Sequence, residues 1–389
     1  MMDFIDLKQQ QKLIRKNVDK RISKVLDHGQ YIQGPEIKEL ENELSLFSKS
    51  KFVLCCSSGT DALVLGLIAL GLRPNEGVIV PSFTFASTAE AVCMLGGIPV
   101  FSDVKLDTYN ICEQSIMKSI KKAKEIGVNL KGVITVGLFG QPSDMDKVKE
   151  IAALNNLWVF DDAAQSFGAK YKNKISGNLC EISATSFFPA KPLGCYGDGG
   201  ALFTNDENFY KIAYSSHLHG MGNNKYEYDR IGMNGRIDTI QAAILLEKLK
   251  IFKTELLKRE EIADYYINRF SSLNTNIKLP KLIKNTNSSW AQFTIQLPLN
   301  SNREKFQILM KEKNIPTAIY YPIPIHSQTP YQNFPISPDN LKNTVELSNS
   351  VISLPMHPYL SKKNIDYISI TVDEIVRNLI WIITCLVFF

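Results

Sequence analysis

Residues 52–103 read FVLCCSSGTDALVLGLIALGLRPNEGVIVPSFTFASTAEAVCMLGGIPVFSD, a stretch in which short apolar runs alternate with turns and helix-length segments. The alternation continues to residue 162. It predicts strands over residues 52–55, 77–80, 99–103, 132–136 and 157–161, each followed by a turn and a helix-compatible stretch such as 61–72 or 144–155. Strand and helix repeating in that order build a mostly parallel sheet. Parallel strands gather their loops at one edge, so residues at strand ends should converge on a site there.

Two further strands, 183–186 and 201–204, flank a glycine-rich turn, and a long helix is expected over 239–257. From residue 258 the pattern changes to helix, strand and Pro-rich loop, including YYPIPIHSQTPY at 320–331. The expected organisation is an N-terminal segment with a large domain over 1–257 and a smaller C-terminal α/β domain over 258–389. A chain of 389 residues is long enough for two cores.

Composition narrows the function classes. An apolar fraction of 44% and a charged fraction of 21% are those of a globular protein rather than a disordered one. The net charge of +5 is spread among acidic residues, which argues against nucleic-acid binding. The seven cysteines, at 55, 56, 93, 112, 180, 195 and 385, lack the paired spacing of a zinc or redox site and read as reduced thiols, so no metal is expected. The start, MMDFIDLKQQQKLIRK, has no signal-peptide core, which predicts a cytoplasmic protein. The end, NLIWIITCLVFF at 378–389, is apolar but shorter than the roughly 20 residues that span a bilayer. It is open to three readings: the buried face of a last element, a foothold on a membrane surface, or an altered reading frame.

Three segments carry candidate chemistry. Residues 186–200, SFFPAKPLGCYGDGG, place Lys191 between a strand end and a turn dense in glycine. A Schiff-base lysine needs that setting, where the amine is partly desolvated and free to swing; a solvated loop lysine is the plainer alternative. Residues 160–169, FDDAAQSFGA, begin at a strand end with two carboxylates. Asp162 is the candidate to keep a pyridine nitrogen protonated, with Gln165 as donor to the ring hydroxyl, although a strand-end Asp also serves as a helix cap or a metal ligand. Residues 57–62, SSGTDA, open a helix with exposed amides, hydroxyls and a small glycine. Gly59 and Thr60 are therefore candidates for a phosphate cup, and an ordinary capped helix start has the same look. Together the three would hold the aldehyde, ring nitrogen and phosphate of pyridoxal 5′-phosphate (PLP).

With VPSFTFAST at 80–88, NGRIDTIQAA at 234–243 and residues 321–331, these segments resemble the successive motifs of the DegT/DnrJ/EryC1/StrS sugar aminotransferases. The likeness runs from about Phe4 to Tyr367. It is nearest to the WbpE/WlbC-like group acting on UDP-2-acetamido-2-deoxy-3-keto-hexuluronate, through FIDLKQQQ, HGQYIQGPE and FFPAKPLGCYGDGGA.

The resemblance implies the fold-type I, aspartate aminotransferase-like PLP fold: a large domain with a mostly parallel seven-stranded sheet plus a small domain, working as a homodimer with shared active sites. It implies Lys191 as the cofactor lysine, Asp162 at the pyridinium and Gln165 at the ring oxygen. Gly59, Thr60 and Ser186 would hold the phosphate, with Asn234 from the neighbouring subunit, and Phe85 would lie over the cofactor face. His219, Arg236, Tyr320, Tyr321 and His326 fall in the segments that contact the sugar nucleotide, and Arg236 suits an acidic group on it.

Tyr320 stands where that group often has histidine, His326 where it can have another polar residue, and the apolar tail does not match a short polar end. The implied reaction moves an amino group from L-glutamate to the keto sugar, for surface polysaccharide (lipopolysaccharide O-antigen) biosynthesis. The alternatives are a dTDP- or UDP-linked 3- or 4-keto-6-deoxyhexose as acceptor, and a non-catalytic PLP-binding regulator. Dehydrating relatives replace the lysine, so Lys191 argues against dehydration.

Overall fold

Each run expected as a strand of the large sheet forms one: β1 (Phe52–Cys56), β2 (Glu76–Pro81), β3 (Ile98–Ser102), β4 (Asn129–Val136) and β5 (Trp158–Asp162). A computed structural model describes residues 2–387 except 225, 274 and 300, with side chains as far as Leu379. A two-strand hairpin, β6 (Lys170–Tyr171) and β7 (Lys174–Ile175), precedes β8 (Ile182–Ser186) and β9 (Gly200–Thr204). The seven long strands form one sheet in the order β1-β9-β8-β5-β4-β2-β3. Neighbours are parallel from β3 through β2, β4 and β5 to β8, while β9 runs antiparallel to both β8 and β1. The carboxyl ends of all strands but β9 therefore share one edge of this sheet.

Helices α1 (Leu7–His28) and α2 (Pro35–Ser48) precede the sheet, α3 (Gly59–Ala69), α4 (Ser87–Met94), α5 (Glu113–Glu125) and α6 (Met145–Leu154) connect its strands, and α7 (Glu207–His217) follows β9. Helices on both faces explain why the strands are continuous apolar runs rather than alternating ones. On one face Ala62, Leu65 and Val92 pack over Phe101, Phe160 and Leu202. On the other, Ile79, Val100, Val133 and Val159 meet Ile116, Ile120 and Val148. A Cβ at Gly66 would come 2.4 Å from the Phe160 ring, so α3 lies on β5 only because that residue has no side chain.

Helix α8 (Thr239–Leu273) continues 16 residues past the expected end at 257, and the expected domain boundary falls inside it. Its first half gives Ala242, Leu245 and Phe252 to the large-sheet core. Its second half gives Ile262, Ala263, Tyr266 and Phe270 to another core, with Phe293, Phe306, Ile352 and Ile368. That second core is built from β10 (Phe293–Gln296), α9 (Arg303–Glu312), β11 (Val351–Leu354) and α11 (Lys362–Val387), with β10 and β11 antiparallel and α10 (Lys342–Ser350) leading into β11.

Two carboxylates are among the polar links that join the halves. Asp103, just after β3, caps the start of α10 by accepting from the Thr344 amide (2.8 Å), the Thr344 hydroxyl (2.7 Å) and the Asn343 amide (3.0 Å). Glu255 of α8, buried, accepts from the Gln10 amide of α1 at 2.9 and 3.1 Å and from the Tyr359 hydroxyl. The apolar C-terminal run enters α11, whose helix reaches Val387. Leu379 is buried, and the side chains beyond it lie outside the described residues. Among the described residues no helix is long and apolar enough to cross a membrane.

Candidate active site

The carboxyl edge of the large sheet collects the loops that hold the candidate residues. Beyond β1, Ser58 accepts from the Asp61 amide at 3.0 Å and Ser57 donates to the Asp61 carboxylate, which starts α3 at Gly59. Helix N-termini present unpaired amides and a positive dipole end, the requirement for a phosphate. A Cβ at Gly59 would stand 2.6 Å from Ser186 Cβ. The helix start and the end of β8 thus touch only because position 59 is glycine, and Gly59, Thr60 and Ser186 form one half-buried cradle.

Asp162 ends β5 and is 4% exposed. Its Oδ2 accepts from the Thr88 hydroxyl at 2.9 Å and its Oδ1 from the Ala164 amide at 3.2 Å. Burial pushes its carboxyl above the usual range, opposed by those two hydrogen bonds and by the charge of Lys191. Lys191 shows the complementary effect: burial pushes its amine down, and Asp162 opposes. The two groups are thus in electrostatic contact in a desolvated space. Asp161, one residue earlier on the opposite face of the strand, is engaged elsewhere, with the Thr135 and Ser176 hydroxyls at 3.3 and 3.4 Å. The period of two along a strand is what separates these adjacent carboxylates.

Gln165, also 4% exposed, is held from two sides. Its Oε1 accepts from the Phe139 amide at 2.7 Å, and its Nε2 donates to the Tyr321 hydroxyl at 3.1 Å. A side-chain amide carries two N–H groups, so one remains for another acceptor. The Tyr321 ring lies 6.1 Å from that of Phe85 and 6.4 Å from that of Phe83. Phe83 is buried, whereas Phe85 is 55% exposed, an apolar face open to the cleft. Tyr320 is half-buried, with its ring 6.4 Å from that of Phe4.

The remaining candidates share none of these contacts. His326 bonds through Nδ1 with the Ser82 hydroxyl at 2.7 Å, beside the end of β2. Arg236 pairs with Cys56 in a bridge alongside β1, and its buried Nε has no hydrogen-bond partner among the described residues. Asn234 and His219 are exposed; Asn234 bridges to Leu218, and the His219 amide donates to the Met233 carbonyl at 3.0 Å.

Thr88 and the Phe139 amide were not singled out from the sequence, although both act on a candidate residue. Thr88 lay within the quoted VPSFTFAST, where a hydroxyl in a first helical turn looks like any other. His217 was also not singled out; it is 1% exposed, and burial first, then Arg236, brings its ring down to about 4.

The donor set fits PLP. The cradle without a side chain at Gly59 suits a phosphate, the buried Asp162 carboxylate a cationic ring nitrogen, the desolvated Lys191 amine an aldehyde, and the exposed Phe85 ring a flat aromatic face.

Comparisons with known proteins agree. The profile of the DegT/DnrJ/EryC1/StrS aminotransferase family matches residues 12–373. The chain is 43% identical over 370 residues to the UDP-2-acetamido-2-deoxy-3-oxo-D-glucuronate aminotransferase of Pseudomonas aeruginosa, covering 95% of this chain and 98% of that one. Among solved structures, a DegT/DnrJ/EryC1/StrS aminotransferase from Brucella abortus superposes with a TM-score of 0.92 at 41% identity, over 96% of this chain and 98% of that chain. NtdA from Bacillus subtilis with bound cofactor PMP, the amine form of PLP, gives a TM-score of 0.84 at 30% identity, over 93% and 82%.

Proposed function

The chain belongs to the DegT/DnrJ/EryC1/StrS aminotransferase family, and from that membership we propose that it is the PLP-dependent enzyme that aminates UDP-2-acetamido-2-deoxy-3-keto-hexuluronate at the expense of L-glutamate. The observation that carries the reading is the desolvated Lys191 amine interacting electrostatically with the buried Asp162 carboxylate at the strand edge, in a chain so similar to an aminotransferase of that sugar. When bound, PLP supplies an electron sink that stabilises negative charge on the carbon losing its proton.

This chain's residues do the rest. Lys191 Nζ would hold the cofactor through its aldehyde, and as a free amine it is the group placed to carry a proton away from the substrate carbon to a second carbon of the same system. Burial shifts Lys191 toward the neutral amine, the form a base requires. Asp162, whose Thr88 and Ala164 hydrogen bonds favour its charged form, would hold the proton on the ring nitrogen. Gln165 has one N–H left for the ring oxygen. Gly59, Thr60 and Ser186 seat the phosphate, and Phe85 covers the ring face.

Arg236, with an unsatisfied buried Nε, suits the sugar carboxylate or the diphosphate. We also assign His219, Tyr320, Tyr321 and His326 to contacts with the sugar nucleotide. We further propose a homodimer in which Asn234 reaches the partner's phosphate site. Support comes from the exposure of Asn234 and of Tyr226 (75%), Tyr228 (59%) and Ile231 (95%) on the same segment. We place the enzyme in the cytoplasm, with a role in surface polysaccharide (lipopolysaccharide O-antigen) synthesis.

The test is direct. The protein is loaded with PLP, reduced with borohydride and mapped by peptide mass; the cofactor is expected on Lys191. Glutamate should bleach the visible absorbance of the loaded enzyme, and UDP- and dTDP-linked keto sugars are then screened for its return. Attachment to another side chain, or no bleaching, refutes the aminotransferase reading; return only with dTDP sugars refutes the hexuluronate.

A further inference from the structure

We propose that a single internal water sits where the two cores meet, held by Thr108 Oγ1, Trp290 Nε1 and Gln292 Oε1. A cavity of about 10 Å³ lies there, lined by these three residues and by Tyr109, Phe139 and Thr294 among others. All three polar atoms are buried and have no hydrogen-bond partner among the described residues. Thr108 and Trp290 are only 6% and 3% exposed. Unpaired buried polar atoms each cost about 1–3 kcal/mol, so three around one cavity point to a shared partner. Tyr109 does not supply it: its hydroxyl donates to the Thr294 carbonyl at 3.3 Å, and none of the three atoms bonds to it.

The chemistry of the three atoms selects the ligand. An indole N–H only donates, an amide oxygen only accepts, and a hydroxyl does either. A cation would be repelled by the indole N–H and an anion by the Gln292 oxygen. The occupant must both donate and accept, and the space admits one heavy atom: a water needs roughly 10–15 Å³ and two to four polar partners. It would accept from Trp290, donate to Gln292 and share a hydrogen with Thr108.

The location gives the water a role beyond filling space. Thr108 lies in the loop after β3 and is joined across the cavity to Trp290 and Gln292, which lead into β10. Phe139 lines the same cavity and packs at 5.2 Å against the Tyr109 ring, while its amide holds Gln165 Oε1. The water therefore ties the second core to the loop after β3, next to the Phe139 loop that orients a candidate cofactor residue.

The test has two parts. A crystal structure of the full chain with PLP, at a resolution that shows ordered solvent, is expected to place one water within hydrogen-bond distance of all three atoms; an empty or apolar-filled cavity overturns the proposal. Thr108→Val, which preserves shape and removes the hydroxyl, is expected to lower Tm by roughly 1–3 °C. An unchanged or raised Tm overturns it as well, because replacing an unpartnered hydroxyl by a methyl group is favourable. If that variant is insoluble, the density in the unaltered protein decides alone.

Discussion

Replacing Thr88 by Val should damage cofactor binding although Thr88 has no predicted contact with PLP. The side chain is buried and nearly isosteric with Val, and its hydroxyl donates to Asp162 Oδ2 at 2.9 Å. Burial already raises the Asp162 carboxyl, and the Thr88 bond is first among the effects opposing that rise. Hydrogen bonds to charged groups contribute about 1.5–3 kcal/mol. If that contribution is lost when Asp162 must carry charge beside the ring nitrogen, the Kd for PLP rises roughly ten- to a hundredfold. Losing the donor moves the Asp162 pKa further up, so the defect should be worst at the acidic end and shrink as pH rises. The assay is an absorbance titration with PLP between about pH 6 and about pH 9 on wild type, Thr88→Val and Thr88→Ser, the last expected to behave like wild type. Equal affinity of Thr88→Val and wild type at every pH would falsify the role given to this hydroxyl.

Lys191→Ala should abolish the amination of keto sugar and the glutamate half-reaction while leaving the thermal unfolding curve in place; residual turnover at the wild-type rate would mean another lysine serves. Gly59→Ala drives a Cβ to 2.6 Å from Ser186 Cβ, an overpacking that costs about 1–3 kcal/mol, and it should weaken binding of PLP and of inorganic phosphate together; weaker PLP binding with phosphate binding intact would place the phosphate elsewhere. Asp161 is pushed up to about 7, by burial first and the neighbouring Asp162 charge second, from an unfolded value of about 4. A raised carboxyl contributes stability that is present below about pH 4 and lost as pH climbs through about 7. Asp161→Asn should therefore show a smaller fall in Tm between about pH 5 and about pH 8 than wild type, and parallel curves for the two proteins would reject that assignment.

What could be read from the residues, and what could not, follows from the range of the forces involved. The strands were legible because burial on both faces leaves unbroken apolar runs, and the loops between them carried their own turn chemistry. The strand order was not, nor the antiparallel placement of β9 between β1 and β8, because pairing depends on contacts far apart in the chain. Helix α8 was taken to end at 257, where the apolar residues stop facing the first core. The period resumes at Ile262, Ala263, Tyr266 and Phe270 toward the second core, and no Pro or Gly interrupts it. At the site, Gly59, Asp162 and Lys191 stood out because each sits at the end of a run. Thr88 did not, since its importance exists only once β2 and β5 bring the two loops together.

The opposed shifts of Lys191 and Asp162 explain why a site of this kind belongs at a buried strand edge. In water the amine would be charged and the carboxyl ionised at neutral pH, and neither would need a partner. Burial penalises both charges, lowering the amine and raising the acid, while each charge partly restores the other. Burial thus biases one group toward the neutral amine, a nucleophile, and the other toward the neutral acid, while a cation set beside the acid favours its charged form. A solvent-exposed edge would lose this bias, because screening would return both groups to their ordinary values. The apolar packing beneath the edge, Phe160 and Phe83 among the buried residues, is thus part of the chemistry as well as of the fold.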